Sequence, residues 1–183
     1  MKIKGASREI LRQLKEEPSA RYLIDYIRAV GDTGEKSDLE KLLPYLKNEG
    51  KWVRNTVLEA LRKSEVKVDE DDLRSVLSDE FDLNRVTGLE LFGIAGRDGS
   101  LKTIIDAIAD KSELVRETAG QVLTNWKDRE VVKSLINGME KLNSDGQVLA
   151  VKVLTALTGE KFDTAPQWKE WLKKNWTNYR LPR

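Results

Sequence analysis

The chain has 183 residues, 39% apolar and 34% charged, which is enough apolar side chain for a folded core and too much for a disordered chain. Its 32 Lys and Arg residues nearly balance its 31 Asp and Glu residues, and a net charge of +1 disfavours a strongly basic nucleic-acid binder. The absence of Cys and His excludes disulfides, zinc fingers and every Ser-His-Asp or Cys-His nucleophile.

The N-terminal region shows no apolar run of the kind that marks a signal peptide, and no stretch approaches the ~18 apolar residues of a membrane span. We therefore expect a soluble, cytoplasmic protein that does not meet a membrane. The length predicts one domain over residues 1–183. Within residues 1–18, Ile10, Leu11 and Leu14 predict a helix that caps the structure that follows.

One ten-residue helical pattern recurs along the chain. It is clearest in residues 52–61, 83–92 and 114–123, where an arginine holds the third position and successive arginines are 31 residues apart. Weaker copies, which lack the arginine, occupy residues 22–31 and 148–157. The arginines are Arg54, Arg85 and Arg116. Five copies of one helix predict a repeat protein.

A second pattern lies between these copies. Apolar residues recur there at i, i+3, i+4 and i+7, which predicts an amphipathic helix. The pattern comprises Leu39, Leu42, Leu43 and Leu46; Leu73, Val76 and Leu77 in a shortened form; Leu101, Ile104, Ile105 and Ile108; and Val132, Leu135, Ile136 and Met139. Pro44 should kink the earliest of these helices, and glycines such as Gly31, Gly93 and Gly159 should end others.

Each repeat is therefore a first helix followed by a second helix, in about 31 residues. One such pair cannot bury its own apolar stripe, but stacked neighbours bury it for one another. We expect an all-α protein, a right-handed α-solenoid of about five helix pairs over residues 19–160, with a further capping segment at 161–183.

The turn and second helix at Asp110-Lys111-Ser112-Glu113-Leu114-Val115-Arg116 resemble HEAT repeats, in particular the short bacterial and archaeal type found in phycobilin lyase subunits. The resemblance covers roughly residues 17–160. It implies that first helices form a convex face and second helices line a concave face. It also implies a ladder between neighbouring repeats, formed by Arg54, Arg85 and Arg116 with Asp79 and Asp110.

The C-terminal segment is similar to the end of many bacterial HEAT-repeat proteins, through Leu157-Thr158-Gly159, Phe162, Trp168 and Trp171. We expect Trp168 and Trp171 to cover the last repeat on a helix that begins near Thr164, and Trp176 to be more exposed. The alternative is a nucleic-acid surface, because residues 161–183 carry six Lys or Arg against two Asp or Glu, with tryptophans between them.

On each second helix, positions one, two and five after the arginine should point away from the core. They predict three columns on the concave face: Asn55, Val86 and Glu117; Thr56, Thr87 and Thr118; Glu59, Glu90 and Gln121. These columns lack the many cations that a phosphate backbone requires, so nucleic acid is not expected there.

No phosphate-binding loop, EF-hand or other catalytic motif occurs, and we expect no enzyme activity, metal or cofactor. The leading interpretation is a monomeric, non-catalytic scaffold that binds a protein or peptide along the concave columns. Two alternatives stay open. One is a lyase-like accessory subunit related to the phycobilin lyases, by analogy of fold; the other is nucleic-acid binding through the C-terminal segment.

Overall fold

The computed structural model describes residues 20–64, 66–95 and 100–180. Regular structure in those residues is helical, and they contain no strand, which confirms the all-α prediction. The predicted capping helix within residues 1–18 lies outside the described residues, as do the last three residues of the C-terminal segment.

The helices follow the order in which the two sequence patterns alternate. They are α1 (Ala20–Thr33), α2 (Lys36–Leu39) with the 3-10 helix Glu40–Lys47, α3 (Lys51–Arg62), α4 (Glu70–Val76), α5 (Asp82–Ala95), α6 (Leu101–Ala107), α7 (Glu113–Trp126), α8 (Arg129–Gly138) with the 3-10 helix Met139–Lys141, α9 (Ser144–Thr158) and α10 (Ala165–Asn175). The arginine pattern falls on α3, α5 and α7, and its weaker copies fall on α1 and α9.

The chain divides into two compact units between Leu91 and Phe92. In the first unit, α3 packs against α1 and the 3-10 helix Glu40–Lys47. In the second unit, α7 packs against α6 and α9, and α8 packs against α6, α9 and α10. In the second unit, the first helices α6 and α8 therefore contact each other, and so do the second helices α7 and α9. The right-handed solenoid remains a prediction.

The predicted apolar stripes form the interior of each unit. Twelve of the fifteen stripe residues are buried. They are the eleven named in the next sentence and Ile105, which is 7% exposed. These eleven are Leu39, Leu42, Leu46, Leu73, Val76, Ile104, Ile108, Val132, Leu135, Ile136 and Met139. Burial of each such side chain contributes about 1.5–3 kcal/mol, so the stripes supply the main driving force for helix packing.

Pro44 changes the helix that contains it. The α-helical segment ends at Leu39, and residues Glu40–Lys47 continue as a 3-10 helix with Pro44 inside it. Proline has no N–H to donate and its ring crowds the preceding turn, so regular α-helix is disfavoured there. The predicted kink is realised as this change of helix type.

Six glycines were expected to end helices: Gly31, Gly34, Gly93, Gly96, Gly99 and Gly159. Gly34 does so directly after α1, whereas Gly96 and Gly99 lie outside the described residues. Gly159 also ends a helix. It follows α9 with a left-handed φ of 78°, which glycine adopts without strain. Gly31 and Gly93 instead lie inside α1 and α5. Gly31 lets α1 approach α3 closely, because a Cβ at Gly31 would lie 2.9 Å from the Ala60 Cβ. A Cβ at Gly93 would lie 3.3 Å from Val122.

Candidate functional site

The three repeat arginines each fix a second helix to the turn before it. Arg54 Nη1 donates hydrogen bonds of 2.8 Å to the carbonyl oxygens of Asn48 and Glu49. The Nη1 atoms of Arg85 and Arg116 make the equivalent pairs of bonds at 2.8–3.3 Å, to the carbonyls of Asp79 and Glu80 and of Asp110 and Lys111. These bonds satisfy turn carbonyls and set the direction in which each second helix leaves its turn.

Of the predicted ladder carboxylates, Asp79 bonds both an arginine and its own turn, and Asp110 bonds its own turn. Arg54 pairs with Asp79, and Arg116 reaches Asp145 at 3.3 Å. Arg116 Nη1 bonds Asp110 at its carbonyl oxygen, whereas the predicted partner was the Asp110 carboxylate. The Asp110 Oδ1 accepts a 2.8 Å hydrogen bond from the Ser112 N–H and so holds its own turn. Asp79 Oδ1 accepts the matching bond from the Phe81 N–H at 2.9 Å.

Asp79 is a carboxylate of the first unit that accepts four hydrogen bonds. Burial alone would raise its pKa, but hydrogen bonds from Arg54, from the Phe81 N–H and from Asn84 together lower the pKa below its ordinary value. Asn84 Nδ2 donates to Asp79 Oδ2 at 3.0 Å. Asp79 is therefore a charged structural group near neutral pH, and its oxygens are occupied by the protein's own donors.

The predicted threonine column is wrong as a surface column. Thr56, Thr87 and Thr118 are buried. Each hydroxyl donates to the carbonyl oxygen four residues earlier, at 2.8, 3.0 and 2.8 Å respectively. A threonine in a helix makes this bond readily, because its Oγ1 lies beside the preceding turn. The three threonines therefore support the second helices and have little surface to offer a ligand.

The other two predicted columns keep accessible surface. In the first unit Asn55, Glu59, Val86 and Glu90 are each partly exposed. In the second unit Glu117 and Gln121 are exposed on α7. Ion pairs and a hydrogen bond join α3 and α5 in the first unit. Arg62 lies 2.7 Å from Glu59 and 3.4 Å from Glu90. The Thr87 hydroxyl lies 3.3 Å from Glu59 Oε1.

A polar depression lies beside the contact between α1 and α3. Its volume is about 290 Å³, and Gly31 and Ala60 form part of its wall. It is bordered by both signs of charge and by one amide: Arg28, Asp32, Asn55, Glu59 and Lys63. Such a lining can hydrogen-bond a polypeptide backbone or a polar side chain.

Four of the second helices also expose a large apolar side chain that the predicted columns omit. Two positions before the arginine position, four second helices carry a large apolar side chain that is 53%, 37%, 47% and 58% exposed. We call these residues the apolar set: Trp52, Leu83, Leu114 and Val148. They recur at the repeat spacing and lie opposite the buried stripe of each helix, so the sequence did contain a signal for them.

The apolar set has neighbours within each unit. Trp52 makes an edge contact with Phe81, with ring centroids 4.7 Å apart, and Lys51 Nζ lies 5.1 Å from the Phe81 ring centroid. In the second unit α7 and α9 are in close contact, since a Cβ at Gly120 would lie 3.1 Å from the Leu149 side chain. The exposed residues of α7 and α9 thus belong to adjacent helices.

Two tryptophans of the C-terminal segment, Trp168 and Trp171, lie in a buried aromatic cluster. The predicted helix begins where expected, with Thr164 immediately before α10, and Trp168 and Trp171 are buried, as predicted. Edge contacts connect Phe162, Trp168, Trp171 and Tyr179 at centroid distances of 5.0–5.8 Å. The buried rings of Trp168 and Trp171 offer no face for a nucleotide base to stack on, so these two tryptophans do not support the nucleic-acid alternative.

Trp176 is only partly buried, which confirms the expectation that it is more exposed than Trp168 and Trp171. The Arg129 guanidinium lies 4.1 Å from its ring centroid and donates to its carbonyl oxygen at 2.8 Å. Trp176 therefore joins the end of α10 to the start of α8.

The described part of the chain offers few features of a metal or membrane site. These residues hold no group of three or more acidic side chains placed to bind a metal ion, and their helices are too short or too polar to cross a bilayer. No protein-family model matches the sequence, and no match was found among curated proteins.

Proposed function

We propose that this protein is a non-catalytic scaffold of HEAT-like repeats, a right-handed α-solenoid whose second helices bind a protein or peptide. The interpretation of the chain as a repeat protein is supported by side-chain hydrogen bonds that recur at the 31-residue spacing. The arginine-to-turn bonds recur in three copies, and the threonine-to-carbonyl bonds recur in the same three. Stacked repeats of this kind present one surface along their length.

The observation that carries the binding proposal is the exposure of the apolar set. Each of these side chains leaves apolar surface in water on the helix face opposite the core, and burial of a Leu or Val side chain contributes about 1.5–3 kcal/mol. A partner that covers Trp52, Leu83, Leu114 and Val148 would gain that contribution. Recurrence at one repeat position favours an extended partner that meets several helices.

The polar neighbours of the apolar set favour a polypeptide over a nucleic acid. Glu59, Glu90 and Glu117 lie on the same helices, and carboxylates repel phosphate groups. Asn55 and Gln121 offer amide donors and acceptors that match peptide groups. Contacts of this mixed character, apolar with a polar border, are typical of protein interfaces.

The test uses a partner captured on the immobilised chain and then purified. We expect the double variant Leu83→Ser, Leu114→Ser to bind it about tenfold or more weakly, since central apolar contacts commonly contribute over 1 kcal/mol each. Tyr22→Ser is the control, because Tyr22 is 60% exposed but lies outside the apolar set. Equal affinity of the double variant and the control would exclude this face as the binding site.

A further inference from the structure

A groove of about 670 Å³ lies between α6 and α8 in the second unit. It is built from first helices and shares no residue with the apolar set. Its apolar lining comes from Leu101 and Ile105 on α6 and from Leu142 after the 3-10 helix. The remaining lining residues are Lys102, Asp106, Ser134, Asn137, Gly138 and Lys141.

Gly138 lines this groove, and nothing in the backbone or the packing requires glycine at that position. Its φ of −96° and ψ of −21° lie in the right-handed helical region, which any residue can adopt. A Cβ at this position would meet only the Ile105 Cγ2, at 4.0 Å. Neither backbone conformation nor close packing therefore requires glycine, whereas a larger side chain here would enter the groove.

The polar groups of the groove are available to a ligand. The Ser134 hydroxyl, the Asn137 amide and the Lys141 ammonium make no hydrogen bond or ion pair with any residue the structure describes. Lys102 is paired with Asp106 at 2.7 Å. The groove thus has one cation without a carboxylate partner, next to an apolar floor.

We propose that this groove binds a linear aliphatic carboxylate. The methylene chain lies on Leu101, Ile105 and Leu142, and the carboxylate is bound by Lys141 with hydrogen bonds from Ser134 or Asn137. The volume is within the range of about 300–1,000 Å³ that is common for small-molecule sites. Two lysines against one aspartate favour an anionic head group over a cationic one.

The first experiment titrates the isotopically labelled full chain with hexanoate, octanoate and decanoate while amide NMR shifts are followed. We expect saturable shifts at the groove residues, and each added methylene should tighten binding about two- to fourfold. Decanol and decyltrimethylammonium, at the same chain length, should bind at least about fivefold more weakly than decanoate because they lack the charge that Lys141 pairs with. Decanol binding as tightly as decanoate would overturn the carboxylate assignment.

The second experiment changes the groove itself. Gly138→Leu should weaken decanoate binding about tenfold or more while thermal unfolding stays unchanged or moves upward, since leucine favours the helix. Lys141→Gln should weaken decanoate about three- to tenfold and leave decanol unaffected. Lys161→Gln, an exposed lysine outside the groove, is the control. Unchanged decanoate affinity in Gly138→Leu, or shifts confined to residues outside the groove, would refute the site.

Discussion

The guanidinium of Arg54 binds both oxygens of the Asp79 carboxylate, although the two residues are 25 positions apart. Arg54 Nε lies 2.6 Å from Asp79 Oδ2, and Nη2 lies 2.9 Å from Oδ1. The same arginine bonds the turn before its own helix through Nη1. One side chain therefore connects two successive turns of the first unit, and both members of the pair are largely shielded from water.

Removal of the carboxylate should destabilise the fold. Asp79→Ala removes both hydrogen bonds between Arg54 and Asp79 and leaves the Phe81 N–H without its acceptor. We expect a loss of about 1.5–3 kcal/mol in the free energy of unfolding. Glu80→Ala is the matched control, since Glu80 also faces Arg54, at 3.7 Å, but is well exposed. Chemical denaturation should show a loss within about 0.5 kcal/mol for the control. Similar losses in both variants would contradict the structural role of Asp79.

The lowered pKa of Asp79 should make this contribution depend on pH. A carboxyl group whose pKa is lower in the folded state stabilises that state above its unfolded pKa of about 3.9, and the contribution disappears as pH falls through the folded pKa. The difference in unfolding free energy between wild type and Asp79→Asn should therefore be full at pH 6–7 and shrink below about pH 4. A constant difference down to pH 2.5 would show that Asp79 does not titrate as described.

The C-terminal cap should depend on its buried tryptophans. Trp171→Ala removes a ring packed between Trp168 and Tyr179, and we expect a cost of about 3–5 kcal/mol, measured by thermal or chemical unfolding. Trp176→Ala should cost only about 1 kcal/mol, because it loses mainly the cation–π contact with Arg129. If Trp171→Ala left stability intact, the capping role would have to be abandoned.

Two glycines should respond in opposite directions to the same substitution. Gly31→Ala places a Cβ 2.9 Å from the Ala60 Cβ, so α1 or α3 must shift, and we expect a loss of about 1–3 kcal/mol. The Cβ of Gly138→Ala makes one ordinary contact, 4.0 Å from Ile105 Cγ2, so this variant should be neutral or stabilise by up to about 1 kcal/mol. The two melting temperatures, measured side by side, check this. A stabilising Gly31→Ala would mean that the helices do not meet at that point.

Local periodicity was sufficient to predict the helices because it records which side of each helix is buried. Ile104, Ile105 and Ile108 were placed on a buried stripe by their spacing alone, and all three are buried. The periodicity could not predict that the Pro44 segment forms a 3-10 helix. The helix type depends on which backbone hydrogen bonds the chain can form around the proline. Gly31 was misread for a related reason: its closeness to Ala60 involves a helix about thirty residues away.

The candidate surface was predicted in part. Helix geometry puts Thr87 only about 40° around the axis from Leu83, so the angle alone could not separate a buried side chain from an exposed one. Whether Thr87 is buried depends on the neighbouring helix, because the Glu59 carboxylate lies next to the Thr87 hydroxyl. Leu83 and Leu114 carried a usable signal, a large apolar residue repeating opposite the core, but it was not assigned to the surface.

The proposal that the second helices bind a protein through the apolar set is tested most directly by site-specific photocrosslinking. A photoreactive phenylalanine replaces Trp52, Leu83, Leu114 or Val148, one at a time, and the control variants carry it at Lys102 or Lys133 on first helices. The account predicts that all four positions crosslink to the same partner protein and that the control positions do not. Crosslinks to that partner from Lys102 or Lys133, with none from the apolar set, would contradict it.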